Sequence, residues 1–180
     1  MRMVPSEPGE SVDKSSDSQR RYWLLKTEPG TFSFDDLWNA PGRTAYWDGV
    51  RNYQARNLLR DGMNKGDLVF IYHSSTDPTG IVGIAEVTRS GYPDHTAFAK
   101  ADPHYDPKSD PASPTWFMVD VKAVRKLPEI ITLDALRQLP ALDKMVLLKR
   151  GSRLSVQPVS AEEWSAIMSM AAGSGESAET

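Results

Sequence analysis

The sequence contains no cysteine, and it has only three histidines, His73, His95 and His104, among its 180 residues. The absence of cysteine excludes disulfide bonds, thiolate metal ligands and a thiol nucleophile. Three histidines do not by themselves make a zinc site. We therefore predict that the protein binds no metal and uses no cofactor.

Long apolar runs are also missing. No stretch approaches the roughly 18 residues that a membrane-spanning helix needs, and the N-terminus lacks the apolar core of a signal peptide. The composition, 39% hydrophobic and 25% charged, is typical of a globular protein of one domain. We expect a cytoplasmic protein with no membrane partner.

The chain has no excess of positive charge, because its formal net charge is −3. Charges cancel in residues 1–21, and residues 161–180 carry four glutamates and no base. The remainder, residues 22–160, carries 17 basic and 16 acidic side chains. It therefore lacks the broad basic stripe of a strong non-specific DNA binder. A nucleic-acid role would depend on local charge and a specific pocket.

Serine, proline and acidic residues dominate the two ends of the chain. We predict a disordered N-terminal tail over residues 1–21 and a disordered C-terminal tail over residues 173–180. Between them, residues 22–172 form one folded domain. Aromatic, β-branched and alternating apolar residues predict strands at residues 22–27, 67–73, 80–87, 116–127 and 153–159.

Capping residues predict four short helices between these strands. The caps are Ser33 with Asp36, Asn52 at the start of a helix to Asp61, Thr132, and Ser160 with Glu163. Strands outnumber helices, which favours an α+β fold with a small curled sheet or barrel and helices packed around it. Residues 88–115 show no periodicity and carry Tyr92, Phe98 and Tyr105 between five prolines. We predict a binding loop there.

The richest cluster of candidate site residues surrounds the second predicted helix. Trp47 and Arg51 precede the helix, and one helical face carries Tyr53, Arg56, Asn57 and Arg60. Aromatic, amide and guanidinium groups together suit a stacked base with a neighbouring phosphate. Trp47, Asn52 and Tyr53 are therefore candidates for a base pocket, and Arg51 and Arg56 for phosphate contacts. The alternative is that Trp47 belongs to the core and the arginines form a solvated face.

Two further segments contain polar residues that are typical of binding sites. Ser74 follows a buried strand, where polar groups often line a pocket, although a hydroxyl-capped turn explains it equally well. Lys149, Arg150 and Arg153 surround a glycine and two serines, as in a phosphate-contacting loop. Basic surface loops are common, so an ordinary solvated loop remains the alternative.

An enzyme is the less favoured interpretation. Lys26 and Glu28 share one face of the first strand, with Thr27 on the other. No nucleophile elbow, metal-ligand spacing or phosphate-binding glycine loop is present. We predict a binding module rather than an enzyme. The alternatives are a small amidohydrolase that uses Lys26 and Glu28 on a modified nucleoside, and a protein-interaction module that uses the long loop.

Several strings, taken in order, resemble a known family. YWLLKTEP, YWDGVRNYQARN, VFIYHSS, YDPKS with TWFMVDV, and KRGSRLSVQPVS are together similar to the EVE domain family over about residues 22–171. The resemblance implies a PUA-like fold, a curled mixed β-barrel with short flanking helices, related to YTH domains. It also implies a nucleic-acid-binding module that recognises a modified base, either a modified cytosine in DNA or a modified RNA base.

The same resemblance implies roles for individual residues. Trp47 would be the stacking wall, and Lys26, Thr27, Asn52 and Ser74 would surround the base edge. Tyr92, Phe98 or Tyr105 would close the cage, and the phosphate contacts would include Arg51, Arg56 and Arg153. His104 departs from the pattern, because a tyrosine is expected there in many relatives.

Overall fold

One six-stranded sheet organises residues 20–173, the part of the chain that the computed structural model describes. Its strands are β1 (Tyr22–Thr27), β2 (Thr44–Trp47), β3 (Leu68–His73), β4 (Gly80–Pro93), β5 (Phe117–Thr132) and β6 (Val156–Val159). The lateral order is β2-β5-β4-β3-β1-β6. β1 and β3 are parallel, and every other neighbouring pair is antiparallel. The five predicted strands are present, and β2 was not predicted.

Short helices flank the sheet at the predicted places. They are α1 (Phe34–Asn39), α2 (Tyr53–Asn57), α3 (Leu133–Arg137) and α4 (Ala161–Gly173), with a π turn after α2 at Leu58–Gly62. Four 3-10 turns lie at Pro41–Arg43, His95–Phe98, Pro140–Leu142 and Val146–Leu148. The predicted caps are confirmed: Ser33 with Asp36, Asn52, Thr132, and Ser160 with Glu163.

Both faces of the sheet carry a hydrophobic core. Successive side chains of a strand point to opposite faces, so Trp23 and Leu25 of β1 join one cluster and Leu24 joins the other. The first cluster packs against α1 and α2, and the second contains Trp164 of α4. This arrangement explains why β1 and β3 are apolar at almost every position.

The α+β class and the mixed, curled sheet are confirmed, but the expected barrel is not closed. Trp47 of β2 and Val156 of β6 enter the same core cluster although their strands lie at opposite ends of the sheet order. Each of these edge strands has only four residues. The two edge strands do not pair with each other, and the chain leaves β2 through a left-handed turn at Gly49 (φ +77°).

Two strands are longer than the sequence predicts. β4 continues to Pro93 and β5 to Thr132. The sequence pattern does not reveal this extra length, because four register shifts in the pairing of β4 with β5 interrupt the regular alternation of apolar and polar residues. Tyr92 therefore lies on a strand, not in a loop. The predicted loop 88–115 shortens to the connection 94–116, which we call the β4–β5 connection.

The predicted tails fall almost entirely outside the described residues, which exclude residues 1–19 and 174–180. At the two ends of the described part, the backbone N–H of Arg21 donates to Asp67, and Gly173 is the last residue of α4. Within residues 20–173, no helix is both long enough and apolar enough to span a membrane.

Candidate functional site

A cavity of about 970 Å³ lies at the open side of the sheet, between β2 and the end of β1. Its size is at the upper end of the range for small-molecule sites. The predicted site residues on its wall are Lys26, Thr27, Trp47, Arg51 and Tyr92. Glu28, considered only for the enzyme alternative, and His104, noted only as a departure from the family pattern, also line it. The charged lining residues that the sequence prediction missed are Asp48 and Asp120.

Trp47, the last residue of β2, is both a core residue and a wall of this cavity. Its side chain is 7% exposed, and its indole meets the ring of Phe32 edge to face, with 6.0 Å between the centroids. One part of the indole therefore packs in the interior, while another borders the open space. The two interpretations of the sequence, stacking wall and core residue, are compatible.

Carboxylates give the cavity an acidic lining. The Tyr92 hydroxyl donates to Asp120, and burial together with that carboxylate raises the pKa of Tyr92, so the phenol stays neutral. Burial raises the pKa of Asp48, and the nearby carboxylates of Asp94 and Asp102 add to this effect. Such a lining accepts hydrogen bonds from a ligand and disfavours an anionic group.

Lys26 and Thr27 supply the polar end of β1. Burial lowers the pKa of Lys26, whose ammonium lies 5.9 Å from the centre of the Tyr72 ring. The Thr27 hydroxyl donates to the carbonyl of Phe32 at 2.6 Å, which leaves its oxygen available as an acceptor. Ser74 lies beside Thr27, with its N–H 2.9 Å from the Thr27 carbonyl, but it does not line the cavity.

Arg51 anchors the β4–β5 connection, and this corrects its predicted role as a phosphate contact. Its guanidinium donates twice to the carbonyl of His104, at 2.7 and 3.1 Å, and once to the carboxylate of Asp94 at 2.9 Å. Two more bonds reach the Val50 carbonyl and the Thr96 hydroxyl. An arginine has five N–H donors, so none is left for a phosphate.

Asp94 is the fully buried partner in this arrangement. Burial alone would raise its pKa, but hydrogen bonds from Thr96, Arg51 and Gly49 outweigh burial and hold the pKa below the ordinary value. A carboxyl with a lowered pKa in the folded state stabilises the fold above its unfolded pKa, near 4, and loses that contribution as the pH falls.

We therefore expect the stability difference between the wild type and Asp94→Asn to be constant from pH 7 to about pH 4 and to shrink below it, because the wild-type carboxylate becomes protonated. Urea unfolding of both proteins across this pH range measures the difference. A gap that widens on acidification would contradict the assignment.

His104 is the one residue of the β4–β5 connection on the cavity wall. Its Nδ1 lies 3.3 Å from Asp102 Oδ1 and 3.5 Å from Asp48 Oδ2. Phe98 and Tyr105, which were expected to close the cage, are half-buried within the connection and do not reach the cavity. Of the three aromatic residues expected to close the cage, Tyr92 reaches the cavity, from the unpredicted end of β4.

A second, smaller cavity of about 420 Å³ adjoins the first and is basic. Three predicted phosphate contacts line it, Lys149, Arg150 and Arg153, together with Asn52, Gln54 and Ser152. None of the three cations has a carboxylate within 4 Å among residues 20–173. The two cavities are neighbours along the chain, because Arg51 and Ser155 line the first and the adjacent residues Asn52 and Leu154 line the second.

The remaining predicted site residues lie elsewhere. Asn52 borders the second cavity rather than the first, and its Oδ1 accepts the N–H of Ala55 as the cap of α2. Tyr53 is 62% exposed and packs on Trp116, with 5.0 Å between the centroids. Arg56 donates to the carbonyl of Thr115 at 2.7 Å. Tyr53, which is exposed, and Arg56, which is half-buried, line neither cavity.

Comparison with known protein families identifies the family of this chain. The family model of the EVE domain matches residues 21–170. The chain belongs to the EVE domain family. This match covers nearly all of the described residues and confirms the resemblance seen in the sequence strings.

Relatives of this EVE domain come from distant organisms. Thymocyte nuclear protein 1 of Mus musculus is 45% identical over 166 residues, which cover 83% of this chain and 73% of the relative. A hypothetical protein from Leishmania major shares the fold with a TM-score of 0.82 at 46% identity, over 88% of this chain and 98% of that one. Human THYN1, solved in complex with 5-methylcytosine containing DNA, has a TM-score of 0.79 at 42% identity, over 84% and 97%.

Gly49 lines the cavity of this EVE domain, and its lack of a side chain lets His104 pack against it. Its φ is +77°, and a Cβ at this position would lie 2.5 Å from Nε2 of His104. We expect Gly49→Ala to lower the free energy of unfolding by at least 1 kcal/mol, the approximate cost of a left-handed conformation with a side chain. Gly66→Ala is the matched control, because Gly66 also has positive φ (+95°) but no atom within 4 Å of its Cβ position.

Urea unfolding of the two alanine variants separates backbone strain from the clash. Both variants carry the strain, and only Gly49→Ala presses on His104, so its loss of stability should be the larger of the two. Equal losses would show that the imidazole moves aside at no cost.

Proposed function

We propose that this EVE domain binds nucleic acid and holds one modified base in the 970 Å³ cavity. A modified cytosine in DNA is the first candidate, and a modified RNA base is the second. The observation that supports this most strongly is that human THYN1, a relative of the same fold, was solved with 5-methylcytosine containing DNA. In this chain, the corresponding fold carries a cavity beside a tryptophan and a basic groove next to it.

Binding requires a base to leave its stack, which costs a few kcal/mol in a duplex and less in a single strand. Stacking on Trp47 returns about 1–3 kcal/mol per base. Hydrogen bonds to the base edge add selectivity, because a mismatched edge leaves a buried polar group unpaired. Burial of one methyl group contributes roughly 0.8 kcal/mol, so the preference for a methylated base is modest.

The two cavities differ in charge, and this difference suits the large one to a neutral base and the small one to phosphates. The carboxylates of Glu28, Asp48 and Asp120 repel an anion from the large cavity, but they can accept hydrogen bonds from a neutral base. The cations of the second cavity form no ion pair with a carboxylate of residues 20–173, so they can attract phosphates. A nucleotide can therefore enter base first, while its backbone stays over residues 149–153.

The direct test is a titration of short single-stranded oligonucleotides that differ at one position, 5-methylcytosine or cytosine. We expect the modified oligonucleotide to bind about threefold to fivefold more tightly, the ratio that one buried methyl group gives. An unrelated position of the same oligonucleotide, methylated in the same way, serves as the ligand control. Equal affinities for the two oligonucleotides would contradict recognition of the modified base.

The basic groove makes a separate prediction about salt. Replacing Arg150 and Arg153 with alanine should weaken all oligonucleotides alike and reduce the slope of log K against log salt by about 1.4, since each phosphate contact to a single strand contributes roughly 0.7. Arg125→Ala with Arg137→Ala is the control, because both arginines are exposed and line neither cavity. Fluorescence anisotropy from 50 to 200 mM salt measures the slope, and an unchanged slope would remove the loop from the interface.

We infer binding rather than catalysis. Lys26 and Glu28 both line the cavity, so an amidohydrolase would have its two groups in place. Turnover of a free modified nucleoside that disappears in Lys26→Ala would establish that alternative. A protein partner lost when the β4–β5 connection is altered, with nucleotide binding intact, would establish the protein-interaction alternative. The cytoplasmic location stays a prediction, and the name of the mouse relative places that protein in the nucleus.

A further inference from the structure

The three carboxylates of the large cavity differ in how much hydrogen-bonding capacity they retain. Asp120 accepts the Tyr92 hydroxyl. Glu28 is exposed at the rim and accepts the hydroxyl of Ser75 at 3.2 Å. Asp48 is half-buried and directly follows Trp47 in the chain. Its neighbour His104 has Nδ1 3.5 Å from Oδ2, at the outer limit of a hydrogen bond. Asp48 also accepts a hydrogen bond from its own backbone N–H, but a carboxylate has about four acceptor sites, so it keeps capacity for a ligand. Unlike Glu28 it is half-buried, and unlike Asp120 it is not bound to the Tyr92 hydroxyl, which makes it the best placed of the three to read a base edge.

We propose that Asp48 is the residue that selects the class of base, by accepting a hydrogen bond from the exocyclic amine of a cytosine. This inference rests on the proposed base binding and adds the group that reads the base edge. Trp47 and Asp48 line the same cavity, so the carboxylate of Asp48 borders the space that a pyrimidine stacked on Trp47 would fill. The partner is an amino-bearing pyrimidine, with or without a 5-methyl group.

The chemistry of the two pyrimidine classes supports this assignment. Cytosine carries an amine donor at C4, whereas thymine carries a carbonyl acceptor at the same place. An ionised carboxylate only accepts hydrogen bonds, so it pairs with the amine and opposes the carbonyl. Lys26 only donates, so it cannot accept from the exocyclic amine, and a bond from its ammonium to the C2 carbonyl is available to both bases. A well-placed pair of this kind discriminates on the order of 10- to 100-fold.

Two other aspartates near Asp48 are excluded by their positions. Asp94 is fully buried and bound to Arg51, so it has no access to a ligand. Asp102 contacts the same imidazole as Asp48, with 3.3 Å between Oδ1 and Nδ1 of His104, but it does not line the cavity. Asp102 is therefore a matched control, since its replacement removes the same charge from the same neighbourhood.

The test compares 5-methylcytosine with thymine at one position of a single-stranded oligonucleotide, because these bases share the 5-methyl group and differ at C4 and N3. We expect the wild type to prefer 5-methylcytosine by about tenfold or more. Asp48→Asn should bring the two affinities within about twofold, because an amide can donate as well as accept. Asp102→Asn should retain the wild-type preference.

A ligand-side measurement makes the test independent of how the variant folds. The same oligonucleotide with 5-methylpyrimidin-2-one keeps the ring, N3 and the methyl group but has no amine. We expect the wild type to bind it about tenfold more weakly than 5-methylcytosine. An undiminished preference in Asp48→Asn, or full affinity for the ligand without the amine, would overturn the role of Asp48 and leave base binding intact. Wild-type affinities that ignore the base altogether would overturn both.

Discussion

Replacement of Trp47 with leucine is expected to weaken binding of a 5-methylcytosine oligonucleotide by roughly 10- to 100-fold, the range that loss of one stacking partner gives. Leucine keeps apolar contact with the core cluster but offers no flat π face to the cavity. The part of the affinity that comes from the phosphate backbone should change little, since the cations of the second cavity are still present. Titration of modified and unmodified oligonucleotides with the folded variant measures both quantities.

Because Trp47 is 7% exposed, its replacement also costs stability, on the order of 2–4 kcal/mol for a large core side chain. Trp164→Leu separates this effect from stacking. Trp164 has the same exposure, packs on Tyr22 and Phe70 in the other core cluster, and lines neither cavity. We expect the two variants to lose similar stability and only Trp47→Leu to lose base-dependent binding. If both bind as well as the wild type, Trp47 is a core residue alone.

Arg51→Ala is expected to produce the second large effect, a loss of about 3 kcal/mol in the free energy of unfolding, because it removes the cation from a buried carboxylate. Asp94 would keep its bonds from Thr96 and Gly49 but lose its ion pair. The His104 carbonyl would lose two donors at once, so the β4–β5 connection should loosen at the cavity wall.

Urea unfolding measures the loss in Arg51→Ala, and hydrogen exchange over residues 94–106 locates it. Arg60→Ala is the control, because Arg60 forms an exposed ion pair with Asp61, and exposed pairs contribute little. A variant as stable as the wild type, with unchanged exchange in the connection, would show that Arg51 has no structural role. Its guanidinium would then be available for a phosphate after all.

The elements that the sequence predicts well are those fixed by local chemistry. The capping box of Ser33 and Asp36 forms as expected, and so does the cap of α2 by Asn52. β1 and β3 are apolar because both of their faces are buried, which is visible in the residues themselves. Lys26, Thr27 and Trp47 lie at the ends of strands and line the cavity. They could be predicted because the resemblance to the family identified them as base-pocket residues.

The parts that the sequence does not predict depend on contacts between distant residues. Asp120 lies on the polar side of a strand and would be expected in solvent, but the curl of the sheet turns it into the cavity. The register shifts of β4 hide Tyr92 from any periodic pattern. Arg51 is bound by Asp94, which lies 43 positions away in the chain. Nothing near Arg51 in the sequence indicates that its donors are occupied.

The most direct test of base binding in the large cavity is photo-crosslinking with an oligonucleotide that carries 5-iodocytosine at the position of the modified base. Iodine occupies the place of the methyl group and reacts on irradiation with aromatic rings in contact with it. We predict that mass spectrometry will find the adduct on an aromatic residue that lines the cavity, foremost Trp47 or Tyr92, and otherwise Phe32 or Tyr46. Adducts confined to Tyr53 of α2 and to Trp116, which packs against it, would contradict the account and place the base outside the cavity.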